Sequence, residues 1–246
     1  MCYSRGVRGT DVEFDGDGAR LRGHLAIPSS GRGPALVLVP DVRGLSAHYR
    51  DVAGRFADAG FLTLAVDLYS REGTPDLPDL DAIMRWMAGL PDIRVLGDLR
   101  AAAAYLRTRA ERRGRIGITG FCMGGQYALL AACTDASLAA CVSWYGMLRY
   151  EQPTAHRPAS PLDLAARLGC PYLGFFGEDD ALIPLADVRE LGLRLERAGK
   201  VFEIRTVPGC GHAFFNDTRV DAYRPAAATE TFHAAVAFLQ RHLTPA

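Results

Sequence analysis

Apolar residues recur along the chain in two patterns. Short runs rich in Val, Ile and Leu, apolar on both faces, occupy residues 35–39 (ALVLV), 62–66 (LTLAV), 115–119 (RIGIT), 139–145 (AACVSWY), 172–177 (YLGFFG) and 202–207 (FEIRTV). Runs of that length suit strands of a parallel sheet covered by helices on both faces. Residues 20–27 (RLRGHLAI) alternate more regularly and suit an antiparallel edge strand. Between the runs, helical spacing spans 49–59, 97–112, 125–132, 187–198 and 225–242, and Gly60 and Gly199 stand where helices commonly stop. Strand and helix alternate throughout, which predicts an α/β fold with a mostly parallel, doubly wound sheet. Two segments break the alternation, 70–91 and 148–168; in such folds excursions of this kind border the ligand crevice at the carboxyl ends of the strands.

Composition narrows the picture. With 246 residues, the chain can bury about 70% of the surface its unfolded form exposes, enough for one large core. No repeat or linker divides it, so one domain over residues 1–246 is expected. Acidic and basic residues balance at 28 each, and the arginines alternate with acids. That balance leaves no footprint for nucleic acid and no basic patch for a membrane surface. No run is long enough to span a bilayer and the first twenty residues lack an apolar signal core, so the expected compartment is the cytoplasm. The six cysteines (Cys2, Cys122, Cys133, Cys141, Cys170, Cys210) have no framework spacing and are expected as free thiols.

One of those cysteines stands apart. GFCMGG, residues 120–125, follows a predicted strand and opens a predicted helix, the context of a nucleophile elbow with Cys in place of the commoner Ser. A turn that throws a side chain outward strains its backbone, and Gly120 and Gly124 stand where a side chain would collide with strand and helix. The helix start, with its unpaired N–H groups and macrodipole, favours a thiolate at Cys122. A nucleophile of this kind needs a base and the base needs an orienting acid. His212 (PGCGHAFFN) follows the last predicted strand, and Asp180 (GEDDALIP) follows the one before it. The order Cys122, Asp180, His212 is that of the α/β-hydrolase arrangement. His48 is the rival base and Asp179 the rival acid. Oxyanion donors are expected from the backbone N–H groups of Met123 and of Val42, the latter in the PDVRGL loop where Gly44 permits a turn.

These motifs resemble the dienelactone hydrolase family, a branch of the α/β-hydrolases that uses Cys rather than Ser. The likeness runs over residues 18–243 and is carried by VPDVRGL, DLYSREG, GDLRAAAAYLR, GFCMGG, SWYG, GEDDALIP and GCGHAFFN. It implies Cys122 as nucleophile, His212 as base and Asp180 as its orienter, since the family's Asp stands four residues before a Pro, here Pro184. The family carries a Glu where this chain has Asp41, which implies a part for Asp41 in thiol activation, one methylene shorter. Its best-known members grip a substrate carboxylate with two arginines. Here Asn216 occupies one of those places and residues 73–84 hold no Arg. Arg43, Arg85 and Arg149 are the candidates to replace them, and without a bidentate clamp a strong preference for small anionic lactones is not expected. Trp86, Tyr145, Phe214 and Phe215 suggest an aromatic-lined site.

The expected activity is cysteine-dependent hydrolysis of a small-molecule carboxylic ester or lactone through a thioester, with no cofactor, by a monomer or small homo-oligomer. A binding or redox-sensing module with Cys122 as its reactive thiol is the competing expectation. A metal site built on Cys210 and His212 lacks a spaced ligand set.

Overall fold

A computed structural model describes residues 9–244, and Cys2 lies outside them. The strands are β1 (Thr10–Gly16), β2 (Ala19–Ala26), β3 (Gly33–Val39), β4 (Leu62–Asp67), β5 (Arg112–Phe121), β6 (Cys141–Trp144), β7 (Tyr172–Gly177) and β8 (Phe202–Val207). They form one sheet in the order β1-β2-β4-β3-β5-β6-β7-β8. From β4 through β8 every pairing is parallel, whereas β1–β2 and β2–β4 are antiparallel. The expected strand at 20–27 is therefore present as β2 and antiparallel, but β1 takes the outermost place beside it.

The helices are α1 (Ala47–Asp58), α2 (Leu80–Gly89), α3 (Asp92–Thr108), α4 (Met123–Thr134), α5 (Pro161–Leu164), α6 (Leu185–Arg197) and α7 (Pro225–Leu243). Helices α1 and α7 meet through Phe56 and Phe232, ring centroids 5.0 Å apart. Helices α3, α4, α5 and α6 form a second, continuously packed run. Covered on both faces, β3, β6 and β7 bury nearly every residue, which is why they read as unbroken apolar runs.

Two helix boundaries differ from the sequence pattern. The helix expected at 97–112 starts five residues earlier, at Asp92, whose N–H donates to the His156 carbonyl at 2.9 Å while its carboxylate accepts from Tyr127 Oη at 3.0 Å. It ends at Thr108 because Arg112 already belongs to β5. The excursion at 70–91 contains α2, capped by Asp79, whose side chain accepts from the Ala82 N–H at 2.8 Å.

Helix α4 is the innermost element. All residues from Met123 to Cys133 are buried, so the helix has no polar face. It packs against β5 and β6 and starts at the carboxyl end of β5.

Candidate active site

Cys122 sits between β5 and α4 with φ 54° and ψ −121°, a backbone region that L-residues avoid. What forces it there is the closeness of the two elements. A Cβ on Gly120 would lie 2.1 Å from the Gly124 carbonyl oxygen, and one on Gly124 would lie 2.1 Å from the Val39 oxygen and 2.3 Å from that of Pro40. Neither site accepts any side chain. The Cys122 N–H is held by the Trp144 carbonyl at 3.0 Å, and its own carbonyl accepts from the Gln126 N–H at 3.1 Å. Among the described residues, the other non-glycine residues with positive φ are Tyr145 and Ala213. Both adjoin the same place: Tyr145 follows β6 and Ala213 follows His212.

His212 and Asp180 arrive on the loops after β8 and β7. The His212 Nδ1 lies 2.8 Å from Asp180 Oδ2, and the other carboxylate oxygen accepts from the Leu182 N–H at 2.9 Å. Asp180 is buried against His212, while Asp179, the rival acid, is exposed. The Tyr145 ring packs 5.1 Å from the His212 ring and 5.2 Å from Phe214. Burial, the largest single influence, pushes the His212 imidazolium down, and the Cys122 charge opposes it. With hydrogen bonding to Asp180 and Cys122, that charge holds the imidazolium up at about 10. The interaction also shows that Cys122 and His212 adjoin each other. The His212 Nε2 is buried and has no hydrogen-bond partner of ordinary geometry.

The loop after β3 supplies the third side of the site. Residues 41–44 form a turn closed by Gly44 N–H donating to the Asp41 carbonyl at 2.9 Å, and the Asp41 side chain accepts from the Arg43 N–H at 2.8 Å. Such a turn leaves the N–H of Val42 outside its own hydrogen bond. Tyr69 Oη donates to the Val42 carbonyl at 2.7 Å and fixes the peptide. Because Val39 and Pro40 abut the first turn of α4, this loop lies beside the unpaired N–H of Met123. Asp41 is half-buried, and after burial itself its charge is the leading influence that raises both Tyr49 and Tyr145 well above the usual tyrosine range.

The remaining expected residues are placed less uniformly. Trp86 is half-buried, edge-on to Tyr69 at 6.0 Å, and lines a cavity of about 390 Å³ together with Glu72, Arg85, Leu90 and Arg94. Phe214 is 0% exposed and supports Tyr145 from behind instead of facing solvent. Phe215 packs on Phe121 at 4.9 Å. Arg43 is exposed, and Arg149 is paired with Asp187 at 3.0 Å and with Glu190 at 3.4 Å. Asn216 Oδ1 accepts from Thr218, so it braces its own loop. His48, the rival base, pairs with Asp217 at 3.0 Å, a carboxylate the sequence did not single out. Nothing local connects the two: they lie 169 residues apart.

Burial sets the other cysteines apart from Cys122. It pushes the thiols of Cys133 and Cys170 up to about 12 and that of Cys141 well above the usual range. Cys210 is also buried and raised. Among the described residues no group of three or more His, Cys, Asp or Glu side chains is arranged to hold a metal ion.

A parallel sheet with an antiparallel edge, a strained residue at a strand-to-helix turn, and an acid and a histidine on the two following loops define the α/β-hydrolase class. Within that class the chain belongs to the dienelactone hydrolase family, whose signature matches residues 21–243. A Bradyrhizobium sp. protein described as a probable 2-oxo-3-(5-oxofuran-2-ylidene)propanoate lactonase is 38% identical over 234 residues, 94% of each chain. An Escherichia coli (strain K12) protein provisionally assigned as a carboxymethylenebutenolidase is 34% identical over 93% of this chain and 81% of its own length. The crystal structure of a provisionally assigned dienelactone hydrolase from Klebsiella pneumoniae superposes with a TM-score of 0.88 at 31% identity, covering 95% of this chain and 99% of that one.

Proposed function

We propose that the protein hydrolyses carboxylic esters or lactones through a thioester on Cys122. Membership of the dienelactone hydrolase family supports lactone hydrolysis. The observation that carries the cysteine mechanism is the strained Cys122 at the start of α4, next to a His212 whose Nδ1 is held by Asp180 at 2.8 Å.

In this mechanism His212 Nε2 takes the proton of the Cys122 thiol, and the sulfur attacks the substrate carbonyl carbon. The carbonyl π pair moves to oxygen, and the N–H groups of Met123 and Val42 stabilise the oxyanion. Collapse of the tetrahedral adduct breaks the acyl C–O bond, and His212 delivers its proton to the departing alkoxide. In a lactone that alkoxide stays tethered to the acyl group. A water molecule, deprotonated by His212, then attacks the thioester; the carboxylic acid departs and the thiol regains its proton. Asp180 keeps the His212 proton on Nδ1 between steps, leaving Nε2 as the working nitrogen. Asp41, beside Tyr49 and Tyr145, assists formation of the thiolate when substrate enters.

The substrate's side group lies against Trp86, with Arg85 lining the same cavity, whereas Tyr145 is 1% exposed and packs on His212 instead of facing substrate. Cys122→Ala is expected to lower p-nitrophenyl ester turnover by about a thousandfold or more. Intact-mass analysis of wild type under turnover is expected to find an acyl adduct on Cys122. Retained turnover in the variant would assign the chemistry to another nucleophile. A sulfenic acid at Cys122, with no acyl adduct and no turnover, would favour a redox sensor.

A further inference from the structure

The loops that carry the Val42 N–H and His212 are not tied to each other by the sheet. They follow β3 and β8, and β5, β6 and β7 lie between those strands. A reaction that needs a base on one side of the sulfur and an oxyanion donor on the other requires that gap to be set to a fraction of an ångström.

We infer that His48, Asp217 and Arg55 form a brace that sets it, and that they are positioning residues for the reaction proposed above, on whose reading of Cys122, His212 and Val42 this inference rests. Helix α1 begins directly after the Val42 turn: the Ser46 N–H donates to the Gly44 carbonyl at 2.8 Å, and His48 sits in the first turn. Asp217 lies five residues past His212. The His48 Nδ1–H donates to Asp217 Oδ1 at 3.0 Å, and Arg55 Nη2, about two turns further along α1, donates to Asp217 Oδ2. Arg55 is itself steadied by Asp51, whose Oδ2 accepts from its Nε at 2.7 Å. One carboxylate thus takes two charged or polar partners from α1.

The segment between His212 and Asp217 is stiff enough to transmit the constraint. The Asn216 N–H closes a turn on the Ala213 carbonyl at 2.9 Å, and Asn216 Oδ1 accepts from Thr218 Oγ1 at 2.6 Å and from the Thr218 N–H at 3.0 Å. Packing joins the same pieces. The His48 ring meets Tyr49 at 4.8 Å and Phe215 at 6.5 Å, and both of these touch Phe121, the residue before Cys122. The His48 side chain is 2% exposed with its Nε2 buried, so it does not face substrate as a second base would.

The test compares His48→Ala, His48→Asn, Asp217→Ala and Asp217→Asn with wild type and with His212→Ala. The readouts are ester turnover, the pH dependence of Cys122 alkylation by iodoacetamide, and melting temperature. His48→Ala and Asp217→Ala are expected to lower kcat by about tenfold to a hundredfold with KM within about threefold. Their alkylation profiles should move toward that of His212→Ala. His48→Asn, whose amide can donate where Nδ1 did, should recover most of the loss. Should an Ala variant fail to fold, the Asn variants carry the comparison, with Asp217→Asn expected to lose kcat and His48→Asn to keep it. Folded variants with lowered melting temperature but wild-type kcat and an unshifted profile would overturn the brace. An alkylation profile that is the same in His212→Ala as in wild type would overturn the underlying Cys–His reading instead.

Discussion

Cys122 is the residue at which the molecule gives up stability for geometry. A non-glycine residue at φ 54°, ψ −121° carries strain of about 1–3 kcal/mol. Cys122→Gly relieves it and Cys122→Ala does not. For a chain of this size, Cys122→Gly should therefore melt about 2–6 °C above Cys122→Ala, allowing for the extra freedom of glycine when unfolded. Calorimetry of the two variants checks this, and equal melting temperatures would mean that the surrounding sheet bears no strain. The elbow was legible in the sequence because its requirements are local: two close-approach glycines and a strand-to-helix junction. The choice of Asp180 over Asp179 was less so, since burial of one of two adjacent carboxylates depends on how the loop after β7 folds. Asp217 was not legible at all, because its partner His48 comes from the other end of the chain.

At the scale of elements, the polar network on α4 shows how a helix without an exposed face is kept in register. Asp92, at the start of α3, accepts from Tyr127 Oη at 3.0 Å and from Tyr150 Oη at 3.2 Å. Arg157 lies over the Tyr150 ring at 3.7 Å and donates to Gln126 Oε1 at 3.2 Å. Gln126 is one turn from Cys122, so the network reaches from the 148–160 segment to the helix that Cys122 opens. Asp92→Ala would strand two hydroxyls and a guanidinium, and should cost on the order of 3 kcal/mol in urea unfolding. Burial raises the Asp92 carboxyl above its ordinary value despite these partners. Its contribution to stability therefore grows as pH falls through the raised value, the reverse of a salt-bridged carboxylate, and Asp92→Asn should remove that trend. Elements missed by the sequence pattern failed for identifiable reasons. In β1, TDVEFDG, only Phe14 is fully buried, and its alternating acids hide the strand. The hairpin signal was nevertheless there: Gly16 pairs with Ala19 across the two-residue loop Asp17-Gly18. Helix α2 buries only Met87, too little to print a periodic stripe.

For the whole molecule, the loop after β8 also governs the response to pH. His212 is raised from 6.5 to about 10, so its stabilising contribution is complete below pH 6.5 and is lost as pH climbs through about 10. Asp217 is lowered from 3.8, chiefly by its hydrogen bond to His48, with Arg55 adding to it. Its contribution is present above pH 3.8 and disappears as pH falls through the depressed value. Urea midpoints measured across pH should thus flatten at the alkaline end in His212→Gln and at the acid end in Asp217→Ala. A slope unchanged in either variant would remove the corresponding group from the account. The mostly parallel sheet followed from the apolar runs, whereas the order of its strands and the approach of the three loops around Cys122 came only from the fold.

The open sheet has two rims, and each is made uninviting to a neighbour. On one, Glu13 and Asp15 of β1 face Arg20 of β2, at 3.3 Å and 2.6 Å. On the other, Glu203 and Arg205 of β8 pair at 2.6 Å, and Thr206 donates to Glu178. Charges along a rim oppose the addition of a foreign strand by backbone pairing. Replacing Glu203 and Arg205 together with Val should turn β8 into a template, and light scattering on standing should report growing assemblies while the freshly prepared protein still hydrolyses ester at the wild-type rate.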